Sequence, residues 1–169
     1  VKNLHLKLND LLLPVITLNV SVSFLSLLVG PLADARGYRL TLQLMIFAAL
    51  GAPLYAVALS WMPVDAAGRL FWLIYLPQGV APLLLAVLMN YTLETCSPDQ
   101  HPLYLSTVNL FLTLPVFFSP AVGWLTDQVG FVPVLLFGAA MILSGGCLSL
   151  GLTEPRRGVV DGRIMTPES

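Results

Sequence analysis

The chain has 169 residues, of which 57% are hydrophobic and only 10% are charged, and its formal net charge is −1. Soluble domains carry about 25% charged residues, and their helices need polar faces that this composition does not supply. The composition therefore argues against a soluble domain. No basic stripe indicates a nucleic-acid partner, so the lipid bilayer is the surrounding that we expect.

The charged residues are clustered, and they leave five long runs without any Asp, Glu, Lys or Arg, at residues 11–33, 40–64, 70–93, 100–126 and 128–153. Each run exceeds the roughly 20 residues that a helix needs to cross a bilayer. We therefore predict an all-α membrane protein. Its helical bundle would cover residues 1–158 and its polar cytoplasmic tail residues 159–169. The predicted spans are about 11–33, 40–64, 70–93, 103–126 and 128–153.

The first span carries hydroxyl and amide side chains that are unusual in so apolar a run, namely Thr17, Asn19, Ser21, Ser23 and Ser26. Such groups either line an aqueous path or form hydrogen bonds to neighbouring helices. The sequence leaves both interpretations open. Asn19 is the first candidate for contact with a solute.

Residues 30–39, with the sequence Gly-Pro-Leu-Ala-Asp-Ala-Arg-Gly-Tyr-Arg, connect the first two spans. The stretch predicts a tight turn, with Gly37 in a left-handed conformation and Asp34 at the start of the second helix, near its unpaired N–H groups. Arg36 and Arg39 would pair with Asp34, with another acid or with lipid phosphate. A generic charged loop is the other interpretation.

The third span contains Pro77, Gln78 and Gly79, followed by Pro82. Proline kinks a helix because it lacks the N–H donor, and backbone freed in this way is tolerated where it faces a cavity. Gln78 is therefore the strongest single candidate for contact with a solute. A hydrogen bond between helices is the alternative role for this amide.

Further candidates follow along the chain, with Asn90 near the end of the third span and Asn109 and Thr113 in the fourth. We expect Glu94 on the same membrane side as Arg39 and Arg36, and an ion pair with either arginine, worth about 0–1 kcal/mol at a surface, would act as a latch between conformations. An independent, solvated acid is the alternative.

A short internal sequence repeat indicates the topology. Residues 30–37 and 123–130 both read Gly-x-Leu-x-Asp-x-x-Gly, 93 positions apart. Three predicted spans separate the copies, and an odd number places them on opposite sides of the membrane, as in an inverted repeat of three helices plus three. The third span then lacks a partner, so we expect a six-helix unit whose first helix precedes residue 1. A chance match of a short pattern is the alternative.

The turn sequence resembles the cytoplasmic loop motif of the major facilitator superfamily of transporters, through Gly30, Leu32, Ala33, Asp34, Gly37 and Arg39. Ala35 and Tyr38 stand where that family often has arginine. In the family the motif lies between helices two and three and again between helices eight and nine. Gln78-Gly79 without an intramembrane arginine and the long connection at 90–102 resemble the second half, so the resemblance implies helices eight to twelve of a C-terminal half.

The resemblance implies a secondary active or facilitative transporter of the plasma membrane that moves a small solute by alternating access, with a cytoplasmic C-terminus and the N-terminal half of the same protein as its partner. Spans one, three and four would face the cavity, and spans two and five would pack outside. The conformational motif would comprise Gly30, Asp34, Arg36, Gly37, Arg39 and Glu94. The solute cavity would be lined by Asn19, Gln78, Asn90, Asn109 and Thr113. A non-transporting polytopic protein, such as a scaffold or receptor half, is the alternative.

The sequence offers no pattern for catalysis or for a cofactor. Its two histidines, His5 and His101, lie at the edges of spans, and Cys96 and Cys147 have neither metal-ligand nor disulfide-framework spacing. No span contains an ionisable Asp, Glu, Lys or Arg of the kind that marks proton relays. We therefore expect no enzyme activity, no metal and no cofactor, and either passive transport or coupling groups elsewhere.

Overall fold

The computed structural model describes residues 8–152, and within that range it contains helices and short connections but no β-strand. The helices are α1 (Leu8–Arg36), α2 (Tyr38–Ala49), α3 (Gly51–Ser60), α4 (Val64–Leu70), α5 (Tyr75–Gln78), α6 (Val80–Thr95), α7 (His101–Val129) and α8 (Phe131–Ser149), with 3₁₀ turns at Phe71–Ile74 and Pro98–Gln100. The predicted tail at 159–169 lies outside the described residues.

Among the described residues, five helical stretches are long and apolar enough to cross a membrane. We number them span 1 to span 5, at Leu12–Arg36, Tyr38–Ser60, Val64–Thr95, Pro98–Val129 and Phe131–Ser149. Over residues 8–152 they confirm the prediction of an all-α chain with five helices that are long and apolar enough to span a membrane. A multi-pass integral membrane protein is the class that this arrangement supports.

The connection between spans 1 and 2 is shorter than the sequence predicts. α1 continues through Gly30 and Pro31 as far as Arg36, and α2 begins at Tyr38, so only Gly37 lies outside a helix. Asp34 therefore lies in the last turn of α1, and the prediction that it starts the second helix is wrong. The physical reason is that Gly37, at a φ of 86°, reverses the chain direction within one residue.

Span 3 is helical but interrupted. It begins with α4, which occupies the residues between the predicted second and third spans, and it continues through the 3₁₀ turn at Phe71–Ile74 and α5 before the break at Gly79. Pro77 and Pro82 cannot donate the N–H that a regular helix requires at their positions, so the backbone departs from a continuous α-helix here. The distortion lies where the prolines predict it.

Span 3 contacts spans 1, 2 and 4, and its contact with span 2, between α2 and α6, is the most extensive between any two of the described helices. Span 5 packs against spans 2 and 4. Span 2 is the most enclosed, and its Leu42 forms an apolar core cluster with Val87 and Tyr91 of α6. In contrast, α7 has no buried residue. The centre of the described bundle therefore lies around the first half of span 2.

Two hydrogen bonds show which helix ends lie together. Arg39 Nη2 donates to the Leu150 carbonyl at 3.0 Å, and Gln43 Nε2 donates to the Ser149 carbonyl at 2.8 Å. The start of span 2 therefore lies beside the end of span 5. Because a helix rises 1.5 Å per residue, the start of span 5 is about 28 Å away. Asp34 and Asp127 thus lie at opposite ends of the bundle, as the internal sequence repeat predicts.

Candidate functional site

The two Gly-x-Leu-x-Asp-x-x-Gly segments form the same turn. Gly37 has φ 86° and ψ 161°, and Gly130 has φ 86° and ψ 171°. The Gly37 N–H donates to the Ala33 carbonyl at 3.0 Å, and the Gly130 N–H donates to the Thr126 carbonyl at 2.9 Å. Each donor and acceptor in the second turn stands 93 positions after its counterpart in the first. The two segments are therefore repeats in backbone structure as well as in sequence.

A polar network surrounds the first turn. Thr41 is fully buried and its hydroxyl donates to the Gly37 carbonyl at 2.9 Å, an acceptor that it shares with its own backbone N–H at 3.4 Å. Ser149 donates its hydroxyl to the Gly146 carbonyl at 2.6 Å, within α8. The carbonyl of Ser149 is one of those left unpaired at the end of α8, and the amide of Gln43 satisfies it.

Arg39 connects this network to span 5. Its guanidinium lies at the C-terminus of α8, where the helix dipole favours a positive charge. Its Nε atom is buried and has no hydrogen-bond partner in the described part of the chain. The Nη2 atom donates to the carbonyl of Leu150 and not to the carboxylate of Asp34 or another acid, which the sequence suggested as partners. Arg36, two residues before the start of α2, is exposed.

Glu94 lies in the last turn of α6 and is exposed. Tyr91, three residues earlier, packs in the cluster with Leu42 at the start of span 2. Glu94 and Arg39 are therefore at the same end of the bundle, as predicted. The role of Glu94 as a latch stays a prediction.

A groove of about 310 Å³, which we call the turn-side groove, lies between α1 and α6. It brings two residues of the turn motif, Gly30 and Asp34, together with the cavity candidate Asn90 and with Ser26. Sequence reasoning treated Ser26 only as one of several hydroxyls. Its spacing from Gly30 and Asp34, at steps of four residues, could have placed it on their face of the helix.

The other cavity candidates lie elsewhere. Gln78 lines a second groove of about 260 Å³, the Gln78 groove, with residues of α3 and α8. Asn19 donates to the Val15 carbonyl and Thr113 to the Asn109 carbonyl, both at 2.8 Å and both within one helix. Asn109 is exposed on α7. Gln78 and Asn90 thus line different grooves, and Asn19, Asn109 and Thr113 line neither of the two.

Sequence reasoning did not single out the contact between span 1 and the break in span 3. Ser21 Oγ donates to the Leu76 carbonyl at 2.6 Å. A Cβ atom at Gly79 would stand 2.5 Å from Ser21 Oγ and 2.8 Å from Ser21 Cβ. The two helices therefore approach closely only because position 79 has no side chain. The signal available in the sequence was the glycine directly after Pro77-Gln78.

Towards the middle of the spans, the polar side chains are amides and hydroxyls, which can contact a polar molecule by hydrogen bonds. Within residues 8–152, no group of three His, Cys, Asp or Glu side chains could hold a metal ion. Cys96 and Cys147 are free thiols.

Comparisons of this chain with protein-family models, with curated proteins and with solved structures found no match. The repeat and the two grooves are therefore the observations from which a function can be argued.

Proposed function

We propose that this chain is part of a secondary active or facilitative transporter of the major facilitator type, which moves a small solute across a membrane by alternating access. The observation that carries the proposal is the repeated turn, with the same backbone conformation at Gly37 and Gly130 on opposite ends of the bundle. Inverted repeats of three helices plus three occur within each half of transporters of this type, and the two halves rock against each other around the solute site.

The placement of the amide side chains supports the same proposal. Asn19, Asn90 and Asn109, the three asparagines proposed as cavity residues, belong to spans 1, 3 and 4 and are exposed.

The proposal includes an orientation and a partner. Arg36 and Arg39 lie at the end of the bundle that carries the first turn, which would face the cytoplasm by the positive-inside rule. The C-terminal end of span 5 lies at that same end. The N-terminal half of a complete transporter would cover the exposed asparagine side chains and complete the solute cavity in the plasma membrane.

The experiment is cysteine accessibility in the complete polypeptide, expressed in its membrane with Cys96 and Cys147 replaced by serine. Asn19→Cys and Asn109→Cys are each reacted with a membrane-impermeant maleimide from either side. We expect both positions to react from both sides, because an alternating site opens to each. Ala35→Cys, beside the first turn, is the control and should react from one side only.

A non-transporting scaffold or receptor half gives the opposite result. Its cavity residues would react from one side at most, as the control does. That outcome would contradict the proposed function without affecting the description of the repeat.

A further inference from the structure

The Gln78 groove lies where spans 2, 3 and 5 meet, and it is lined by small and apolar side chains. Ala52 and Ala56 of α3 line it, and so does Gly138 of α8. A Cβ atom at Gly138 would meet nothing within 4 Å, so the space beside this residue is open. At about 260 Å³, the groove exceeds the roughly 150 Å³ of an apolar cavity that holds benzene. The groove is therefore large enough for a small apolar molecule.

The amide of Gln78 is the one polar side chain among the described residues that line this groove. Gln78 is exposed, and its side chain makes no hydrogen bond to another described residue. An amide without a partner is costly in an apolar surrounding. A bound water molecule needs two to four polar partners, which the other lining side chains do not supply. The groove therefore combines an apolar volume with a single hydrogen-bonding side chain.

The depth of Gln78 in the membrane restricts which molecules match both features. Gln78 lies nine residues after Arg69, the nearest charged residue of span 3, which corresponds to about 13 Å along a helix. The hydrocarbon core is roughly 30 Å thick, so Gln78 lies close to its centre. A phospholipid chain fits the apolar volume, but the ester and phosphate groups of the lipid stay at the membrane surface. An occupant that also bonds the amide must carry its polar group into the hydrocarbon core.

We propose that the Gln78 groove binds a neutral, membrane-dissolved molecule that is apolar except for one hydroxyl or carbonyl group, which forms a hydrogen bond with the amide of Gln78. An amide donates to either group and also accepts from a hydroxyl. The bound group is neutral, because no charged side chain lines the groove among the described residues and an unpaired charge is very costly in hydrocarbon. Medium-chain alcohols belong to this class of molecule.

This site goes beyond the proposed function. Asn19 and Asn109, which test that function, do not line the Gln78 groove. The groove would bind its ligand whether or not the protein transports a solute.

The test is photolabelling of the complete polypeptide in its membrane with two matched probes. One probe is a medium-chain alcohol that carries a diazirine, and the other is the same alkane without the hydroxyl. Labelling in the groove, at Ala52, Ala56 and Gly138, is normalised to Phe117 of α7, which is 76% exposed and lies at a similar depth, ten residues before Asp127. We expect the alcohol to label the groove about fivefold more than the alkane does, the preference that one hydrogen bond contributes.

Two pairs of variants assign this preference to the groove and its amide. Gln78→Leu should make the two probes equal, whereas Asn19→Leu, which removes an exposed amide outside the groove, should leave the preference unchanged. Gly138→Leu fills the groove and should lower labelling by both probes at Ala52 and Ala56. Gly145→Leu should not, because Gly145 belongs to the same helix but does not line the groove. Ala56→Leu fills the groove from α3 if Gly138→Leu does not fold.

Equal labelling of the unaltered protein by both probes would overturn the proposal, because the groove would then hold apolar chains without recognising a polar group. A preference that persists in Gln78→Leu would also overturn it. Labelling far below that of Phe117 with both probes would do the same, since a helix or a second chain would then cover the groove. One-sided reaction at Asn19→Cys and Asn109→Cys, together with the expected labelling here, would contradict the transport function alone.

Discussion

The first repeat, spans 1 and 2, and the second repeat, spans 4 and 5, have the same turn in different surroundings. Gly37 is buried and Gly130 is exposed, yet both have a φ of 86° and the same backbone hydrogen bond. The turn is therefore set by its own sequence, whereas burial is set by what packs against the helices. Span 3 covers the first repeat, and no described element covers the second in the same way.

The polar residues of the two repeats differ accordingly. Thr17, Ser21, Thr41 and Gln43 are buried in the first repeat, and their equivalents in the second are Leu110, Leu114, Val134 and Leu136. Ser21 and Gln43 each donate to a carbonyl of another span. Of the two roles considered for polar groups in span 1, Ser21 therefore has that of a bond between helices.

The largest loss of stability is expected from substitution of the turn glycines, Gly37 and Gly130, which the two repeats share. Gly37→Ala places a side chain at a φ of 86° and a ψ of 161°, a region that only glycine adopts readily. We expect a loss of about 2–3 kcal/mol in stability, measured as unfolding in detergent. Gly130→Ala should cost a similar amount, because its backbone is the same.

Gly30→Ala is the control for the turn, since Gly30 is helical and a Cβ there meets nothing within 4 Å. It should leave stability unchanged or raise it slightly. If only one of the two turn glycines proved sensitive, the two turns would not be structurally equivalent.

The second largest loss of stability is expected at the contact between Ser21 of span 1 and Gly79 of span 3, which has no counterpart in the second repeat. Gly79→Ala brings a Cβ within 2.8 Å of Ser21 Cβ and 3.1 Å of the Val22 backbone nitrogen, atoms that cannot rotate away. Overpacking of this kind costs about 1–3 kcal/mol, partly offset by the better helix propensity of alanine. We expect a net loss of about 1–2 kcal/mol in the same unfolding measurement.

The matched variant is Gly123→Ala in α7, where nothing lies within 4 Å of the added Cβ. It should gain up to about 1 kcal/mol from helix propensity. The two substitutions should therefore differ in sign, and a loss at both positions would show that α7 is covered at Gly123.

A smaller effect is expected from the polar contact between spans 2 and 5. Gln43→Leu removes the hydrogen bond to the Ser149 carbonyl and makes position 43 like its equivalent, Leu136. We expect a loss of about 1 kcal/mol, the usual range for such bonds between membrane helices. Asn19→Leu, which removes an exposed amide bonded within its own helix, should change stability by less. If the Gln43→Leu protein were as stable as the parent, the hydrogen bond from Gln43 to Ser149 would not stabilise the fold.

The number of spans, the conformation of Gly37 and the opposite placement of Asp34 and Asp127 could be predicted from the sequence, because they depend on charge spacing and on local motifs. The position of Asp34 in the last turn of α1 could not, since the predicted first span ends at residue 33, whereas α1 continues to Arg36. The separation of Gln78 from Asn90 into two grooves depends on how α5 and α6 rotate after the proline break, which spacing does not give. The capping of α8 by Arg39 joins residues 111 positions apart and likewise depends on packing.

The most direct test of the inverted repeat is the sidedness of its two turns. Ala35 and Gln128 are equivalent, exposed residues beside Gly37 and Gly130. In sealed vesicles, Ala35→Cys and Gln128→Cys in a background without Cys96 and Cys147 should react with an impermeant maleimide from opposite sides of the membrane. Reaction of both cysteines from the same side would contradict the account.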